Sequence, residues 1–324
     1  MKVLIPLAGA GTRLQPHTFA HPKPLIHVAG KPILAHILDP IVEIKPDEVI
    51  FVVGYMGDDI RAYVDAKYPS LNASYVEQSQ LLGLGYALYL ALKDNPSDEL
   101  LVVLGDTIVT VDLQKFIDTD DWVLGLRQVD DPSRFGIAEV NGGRITGMEE
   151  KPSEPKSNLA LIGLYYFKSG NLLRDHLKGV IDAGKTTRGE YQLTDALATM
   201  IDDGIRFVPF EVTGWYDCGK IETLLATNQT LLKHQPQPDT PDQSVVIKPV
   251  YIAPGASITG CVIGPHVSIG EGAVLRHSVI TNSIINANAQ VENVVLTDSV
   301  IGESAVVTAE KSTLDIADKS NVKL

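Results

Sequence analysis

The segment Leu7-Ala8-Gly9-Ala10-Gly11-Thr12-Arg13-Leu14, followed by Pro22-Lys23-Pro24-Leu25, concentrates residue types suited to holding phosphate. Glycines after an apolar run let backbone N–H groups approach an anion without interference from Cβ atoms. Arg13 can present a forked pair of donors, and Lys23 adds a second positive charge. The chain has a formal net charge of −13, so a polyanion must be met by local cations of this kind. Two familiar glycine motifs do not fit. Leu14 stands where a dinucleotide fingerprint needs its third glycine, and no ribose-binding acid follows Gly54-Tyr55. A Walker loop would need Gly-Lys-Ser/Thr, which the turn lacks. Further along, Asp106 ends an aliphatic run, Glu149-Glu150-Lys151 forms a charge cluster, and Asp217 precedes Cys218-Gly219. No serine–histidine or cysteine–histidine arrangement stands out.

These residues need elements to position them. Strand-like and helix-like segments alternate through residues 1–234. Val3–Leu7, Glu48–Gly54 and Leu100–Leu104 read as strands, while Lys31-Pro32-Ile33-Leu34 opens a helix with proline at its first position. Asp58–Lys67 and Gly85–Asn95 also read as helices. Aliphatic strands between helices predict an open, Rossmann-like α/β sheet covered on both faces. Gly136–Val140 and Arg144–Met148 flank Asn141-Gly142-Gly143, a hairpin signal that makes the sheet mixed. Residues 235–244, rich in proline and polar side chains, read as a linker.

Residues 245–324 follow another rule. Ile252, Ile258, Ile263, Ile269, Leu275, Ile280, Ile285, Val291, Leu296, Ile301 and Val307 recur at gaps of five or six. The residue four after each of the first ten is again aliphatic or alanine, from Ala256 to Ala305. This predicts a left-handed parallel β-helix of three to four coils, with both positions facing inward. The regularity stops after Val307, so Thr308–Leu324 is expected to be a cap or a loose end. So small a core is expected to pack its apolar faces on the catalytic domain or another subunit. His266 and His277 are the only histidines on the coils, so a structural role is expected there rather than acyl transfer.

The motifs through residue 220 resemble those of the sugar-1-phosphate nucleotidylyltransferase family. The resemblance rests on Gly11-Thr12-Arg13-Leu14 with Pro22-Lys23-Pro24-Leu25, Gln78 to Gly83, and Leu104-Gly105-Asp106. It continues through Phe135-Gly136, Glu149-Glu150-Lys151-Pro152, Gly163-Leu164-Tyr165, Glu190–Asp195 and Trp215–Gly219. The resemblance implies that a sugar-1-phosphate oxygen attacks the α-phosphorus of a nucleoside triphosphate and releases pyrophosphate. Such transfers rest on positioning and charge neutralisation. It also implies Mg²⁺ as cofactor, held by Asp106 and Asp217, since this ion takes one or two carboxylates beside phosphate and water.

The same resemblance gives Arg13, Lys23, Asp106, Lys151 and Asp217 as catalytic and assigns the nucleotide to Leu7, Gly9, Gly11, Thr12, Arg13, Gln78, Gly83 and Asp106. It assigns the sugar phosphate to Gly136, Glu150, Lys151, Gly163 and Arg188, with Glu190 either sugar-side or structural. A glutamine amide suits the O4/N3–H edge of a pyrimidine. The family features are closest to the longer glucose-1-phosphate thymidylyltransferases. The short glycine loop and Asp217-Cys218-Gly219 instead look like UTP–glucose-1-phosphate uridylyltransferases. A catalytically silent subunit of the same fold is a further alternative, against which Arg13, Lys23, Asp106 and Asp217 are all present.

Composition sets outer bounds. The acidic balance argues against nucleic-acid or anionic-membrane partners. No apolar run is long enough for a membrane span, and two cysteines make no disulfide framework, so a reducing cytoplasm is expected. A homo-oligomer, dimer or larger, with contacts from the β-helix, is expected.

Overall fold

The structure, a computed structural model, describes residues 1–310. The chain forms two compact units. One comprises residues 1–26 and 31–224, the other residues 27–30 and 225–324. The first unit begins with β1 (Lys2–Pro6), and a short strand β2 (His27–Val28) belongs to the second unit. The first unit continues with β3 (Lys31–Pro32), α1 (Ile33–Glu43), β4 (Glu48–Val53), α2 (Gly57–Lys67), β5 (Ala73–Glu77), α3 (Leu84–Asp94) and β6 (Leu100–Val103). Then come β7 (Thr107–Thr110), α4 (Leu113–Ile117), β8 (Trp122–Gln128), β9 (Gly136–Asn141), β10 (Arg144–Glu150) and β11 (Leu159–Phe167). The helices α5 (Gly170–Asp182) and α6 (Leu193–Asp202) precede β12 (Phe207–Glu211) and β13 (Gly214–Asp217). Helix α7 (Ile221–Leu232) begins in the first unit and ends in the second.

A nine-stranded mixed sheet runs β5-β4-β1-β6-β11-β8-β12-β10-β9. Its parallel strands β4, β1 and β6 are buried on both faces, with Val3, Leu4, Ile5, Val49, Ile50, Leu100 and Leu101 fully inaccessible. That burial is why these strands read as unbroken aliphatic runs rather than alternating ones. The chain leaves β1 toward β4 on one side and returns to β6 on the other. The loops after β1 and β6 therefore diverge at a topological switch point, where open α/β sheets form a crevice. Proline 32 is the N-cap of α1 rather than its first helical residue, a shift of one position from the sequence reading.

In the second unit, twelve short strands form three parallel four-stranded sheets, the faces of a left-handed β-helix of four coils. The recurrent aliphatics Ile263, Ile269, Leu275, Ile280 and Ile285 fill its interior. The second inward position differs from expectation. Where the gap is six, the residue four on does face inward, and Val267, Ala273 and Ala289 are fully buried. Where the gap is five, parity is reversed. Val279 and Val295 point outward and are 38% and 79% exposed. The inward partner in those shorter rungs lies two residues before the aliphatic, at Cys261, Ser278 and Ser283. Each of these buries its polar atom by bonding the carbonyl two residues back: Cys261 to Thr259, Ser278 to Arg276 and Ser283 to Thr281. The Ser278 and Ser283 hydroxyls also accept from the Val294 and Ser299 N–H groups of the next coil, at 3.3 Å and 3.1 Å, so these small polar side chains are satisfied inside the β-helix. His266 and His277 occupy corners with φ of 64° and 47°, alongside asparagines and glycines in the same conformation. Most of the expected cap or loose end, residues 311–324, lies outside the described residues. No helix among the described residues is long and apolar enough to cross a membrane, and Cys218 and Cys261 are both buried and form no disulfide among those residues.

Candidate active site

The crevice at the ends of β1 and β6 is a cleft of two adjoining halves, about 550 Å³ and about 460 Å³. Arg13, Leu84, Leu104 and Asp106 line both, so a cation and a carboxylate stand at their junction. The larger half collects Leu7, Gly9, Gly11, Thr12, Lys23, Gln78 and Gly83. The smaller half collects Gly136, Glu150, Lys151 and Asp217. Residues separated by 200 positions in the chain thus share one cleft.

The glycine turn has two different uses for glycine. Gly11 has φ +63°, and a Cβ there would come within 2.9 Å of the Lys23 Cβ. Gly9 has an ordinary backbone, but a Cβ there would meet no atom within 4 Å, so the backbone borders open space. The Lys23 side chain is drawn inward. The residue is only 8% exposed, and its Nζ lies 3.0 Å from Asp106 Oδ2. A nearly buried ammonium needs such a partner.

Asp106 and Asp217 come together through the ribbon of β7 and β13. Thr107 is opposite Asp217 in that antiparallel pair, and the Cys218 N–H donates to the Asp106 carbonyl at 3.3 Å. Asp217 also accepts from the Gly219 N–H at 2.8 Å. Among the described residues no group of three histidine, cysteine or acidic side chains forms a protein cage for a metal. Asp106 at the junction, with Asp217 beside it in the smaller half, supplies carboxylates that fit Mg²⁺, a hard ion that completes its shell with phosphate oxygens and water.

On the smaller side, Glu150 Oε1 pairs with Lys151 Nζ at 3.1 Å and Oε2 accepts from Thr194 Oγ1 at 2.7 Å. A Cβ on Gly136 would fall 2.9 Å from that Glu150 oxygen and 2.8 Å from the Thr194 hydroxyl, so β9 reaches this spot only as glycine. Lys151 sits at φ 46°, held by its N–H to Phe135 O at 2.9 Å. Tyr165 is buried in the same wall. Burial first, then the charges of Glu150 and Asp106, push its phenol upward, so it stays protonated. Thr107 and Trp215 also line this half, and their Oγ1 and Nε1 atoms are buried with no hydrogen-bond partner among the described residues.

Two of the residues assigned by resemblance sit elsewhere. Gly163 lies in the irregular register of β11, where φ is +85° and a Cβ would strike Leu104 at 2.7 Å. Its relation to the cleft runs through Leu104, whose N–H donates to the Gly163 carbonyl. Arg188 is exposed, and its guanidinium donates to the Lys151 carbonyl at 3.3 Å, bracing the loop rather than lining the cleft. Glu190 lines the larger half, not the smaller.

Sequence reasoning gave no role to Thr107, Gln192, Thr194 or Trp215. Trp215 had a usable signal: it stands two residues before Asp217 and, on one strand, shares its face. Thr194 and Gln192 meet Glu150 and Glu190 only through folding.

The strand-end cleft thus brings the cations Arg13, Lys23 and Lys151 together with the carboxylates Asp106, Glu150 and Asp217. The nucleotidyl transferase family profile matches residues 2–234, and the chain belongs to that family, within its sugar-1-phosphate nucleotidylyltransferases. It is 31% identical to a glucose-1-phosphate thymidylyltransferase of Streptomyces antibioticus, over 95% of this chain and 94% of that protein. It is 33% identical to the UTP–glucose-1-phosphate uridylyltransferase AglF of Haloferax volcanii, over 66% of this chain and 89% of that protein. Among solved structures it resembles a UDP-glucose pyrophosphorylase complexed with UDP-glucose. The TM-score is 0.62 and the identity 25%, covering 72% of this chain and 99% of that one.

Proposed function

We propose that the enzyme transfers a nucleotidyl group from a pyrimidine nucleoside triphosphate, dTTP ahead of UTP, to glucose-1-phosphate, giving a nucleoside-diphosphate glucose and pyrophosphate. The observation that carries this reading is the junction: Arg13 and Asp106 line both halves, where an α-phosphate would meet an incoming sugar phosphate. The first relative named above favours dTTP, and it matches nearly the whole chain. The uridylyltransferase match and the short glycine loop favour the alternative, UTP.

In this reading the backbone from Leu7 to Thr12, with Arg13 and Lys23, neutralises the triphosphate. Gln78 and Gly83 face the base. Lys151 holds the phosphate of the sugar, Glu150 accepts from its hydroxyls, and Thr194 fixes the Glu150 carboxylate. Asp106 and Asp217 would hold Mg²⁺, which when bound would offset charge on the phosphate oxygens. The sugar phosphate oxygen forms the new bond to the α-phosphorus as the bond to pyrophosphate breaks. No protein nucleophile or net proton transfer is required. Turnover measured as pyrophosphate release from dTTP, UTP, CTP, ATP and GTP, each against several sugar-1-phosphates, tests this. Pyrimidine triphosphates with glucose-1-phosphate should lead; efficient use of GTP with mannose-1-phosphate would overturn it.

We further propose that the protein is a homo-oligomer joined through its coils. Val245, Val262, Val279 and Val295 stand in register along one β-helix face, pointing outward. Their strands carry no charged residue. A second copy of so acidic a chain can meet this face without bringing carboxylates together.

A further inference from the structure

Residues 187–195 pass along both halves of the cleft. The segment is locked against the start of α3 by backbone bonds: Tyr191 N–H to Leu82 O and Gly85 N–H to Tyr191 O, both 2.8 Å. Side chains at 83 and 85 are excluded by this contact, since their Cβ atoms would lie 2.6 Å and 2.9 Å from the Tyr191 carbonyl. At its other end Asp195 accepts from Thr187 Oγ1 at 3.0 Å and pairs with Lys185 at 3.2 Å. Within this fixed segment, the exposed Glu190 lines the larger half of the cleft and Gln192, 7% exposed, lines the smaller. The Gln192 Nε2 donates to Glu190 Oε2 at 3.0 Å.

That bond has a direction. A carboxylate only accepts, so Glu190 selects the amide orientation that turns nitrogen toward it. The Gln192 carbonyl is left as an acceptor on the other side, suited to a sugar hydroxyl. An amide at position 190 could donate or accept and would select neither orientation.

We propose that Glu190 and Gln192 are a positioning pair that couples the two substrate sites: a nucleotide against Glu190 fixes the carboxylate, which fixes the Gln192 amide for the sugar. The proposal rests on the assignment of the larger half to nucleotide and the smaller to sugar phosphate. It makes binding of one substrate improve binding of the other, reciprocally, as linkage requires.

The test is calorimetric. Glucose-1-phosphate is titrated into the full-length protein with Mg²⁺, with and without the α,β-methylene analogue of dTTP or UTP, which binds but does not react. In the wild type the nucleotide should tighten sugar-phosphate binding at least about fivefold, the lower end of ordinary coupling. Glu190→Gln, of the same size, should bring that factor to near one. Glu190→Asp, which still only accepts, should keep part of it. Gln192→Leu should weaken sugar-phosphate binding with or without nucleotide, and adding Glu190→Gln to it should cost nothing more. Coupling retained in Glu190→Gln, additive losses in the double variant, or a wild type that binds both ligands independently would each overturn the pair. A wild type that binds neither ligand would instead overturn the assignment of the cleft halves. Thermal melting of each variant separates these effects from loss of fold.

Discussion

Removing the Lys151 ammonium should damage one substrate site and spare the other. The side chain projects from a backbone held independently, by its own N–H to Phe135 O and its carbonyl to Arg188. Lysine and alanine both carry a Cβ, so Lys151→Ala leaves the strain of the positive φ about unchanged. What is lost is a charge-assisted contact to the sugar phosphate, about 1.5–3 kcal/mol, or about 10- to 150-fold in the KM for sugar-1-phosphate. The upper end is expected, because Glu150, with its side chain only 11% exposed, keeps its bond from Thr194 but loses its cation. An unpaired carboxylate there repels the incoming phosphate. The nucleotide KM, measured at saturating sugar-1-phosphate, should change by no more than about twofold, because Lys151 lines the smaller half and not the larger. Initial rates with each substrate varied at saturation of the other give both constants. Lys151→Arg should recover much of the loss, and Glu150→Gln combined with Lys151→Ala should recover part. Equal increases in both KM values, or a fall in kcat with both unchanged, would refute the assignment.

Asp106→Asn and Asp217→Asn should each remove most turnover at saturating Mg²⁺ while circular dichroism stays native; strong residual activity in both would exclude them as metal ligands. Glutamate at both Val279 and Val295 should reduce the mass seen by light scattering to that of one chain without lowering the melting temperature; an unchanged mass would exclude that face as the contact. Asp39 supplies a pH-dependent term. Burial raises its carboxyl, but hydrogen bonds from Lys31 and Tyr68 outweigh burial and hold it below its ordinary value of 3.8. A depressed folded-state pKa contributes stability that is present above 3.8 and lost as pH falls through the folded value. Asp39→Asn should therefore cost about 1 kcal/mol or less at pH 7, the pair being half exposed and screened. The difference in melting temperature from wild type should shrink as pH falls below 3.8; a difference that does not shrink with acid would show it is not electrostatic.

Local patterns marked the first buried strands, three of the helices, one hairpin and the coils, and gave the residue types of the opening loop. Aliphatic runs at residues 3–5, 49–52 and 100–103 declare buried parallel strands because burial on both faces removes alternation. Gly11, Arg13 and Lys23 are residue types suited to an anion, though such a turn alone is more often structural; the fold brings all three to one half of the cleft. The coils were legible from spacing alone, since each rung must return an aliphatic to the same interior. What spacing could not decide was the parity of the five-residue rungs, where one deleted residue sends Val279 and Val295 outward and Ser278 and Ser283 inward. The same limit applies to the cleft. Glycine 163 and Arg188 are not among the residues that line the cleft, while Thr194 meets Glu150, and Thr107 comes opposite Asp217, only when segments distant in sequence are brought together. Local sequence determines which atoms are available and how they repeat; which of them face one another depends on long-range pairing, whose register is set by the whole core at once.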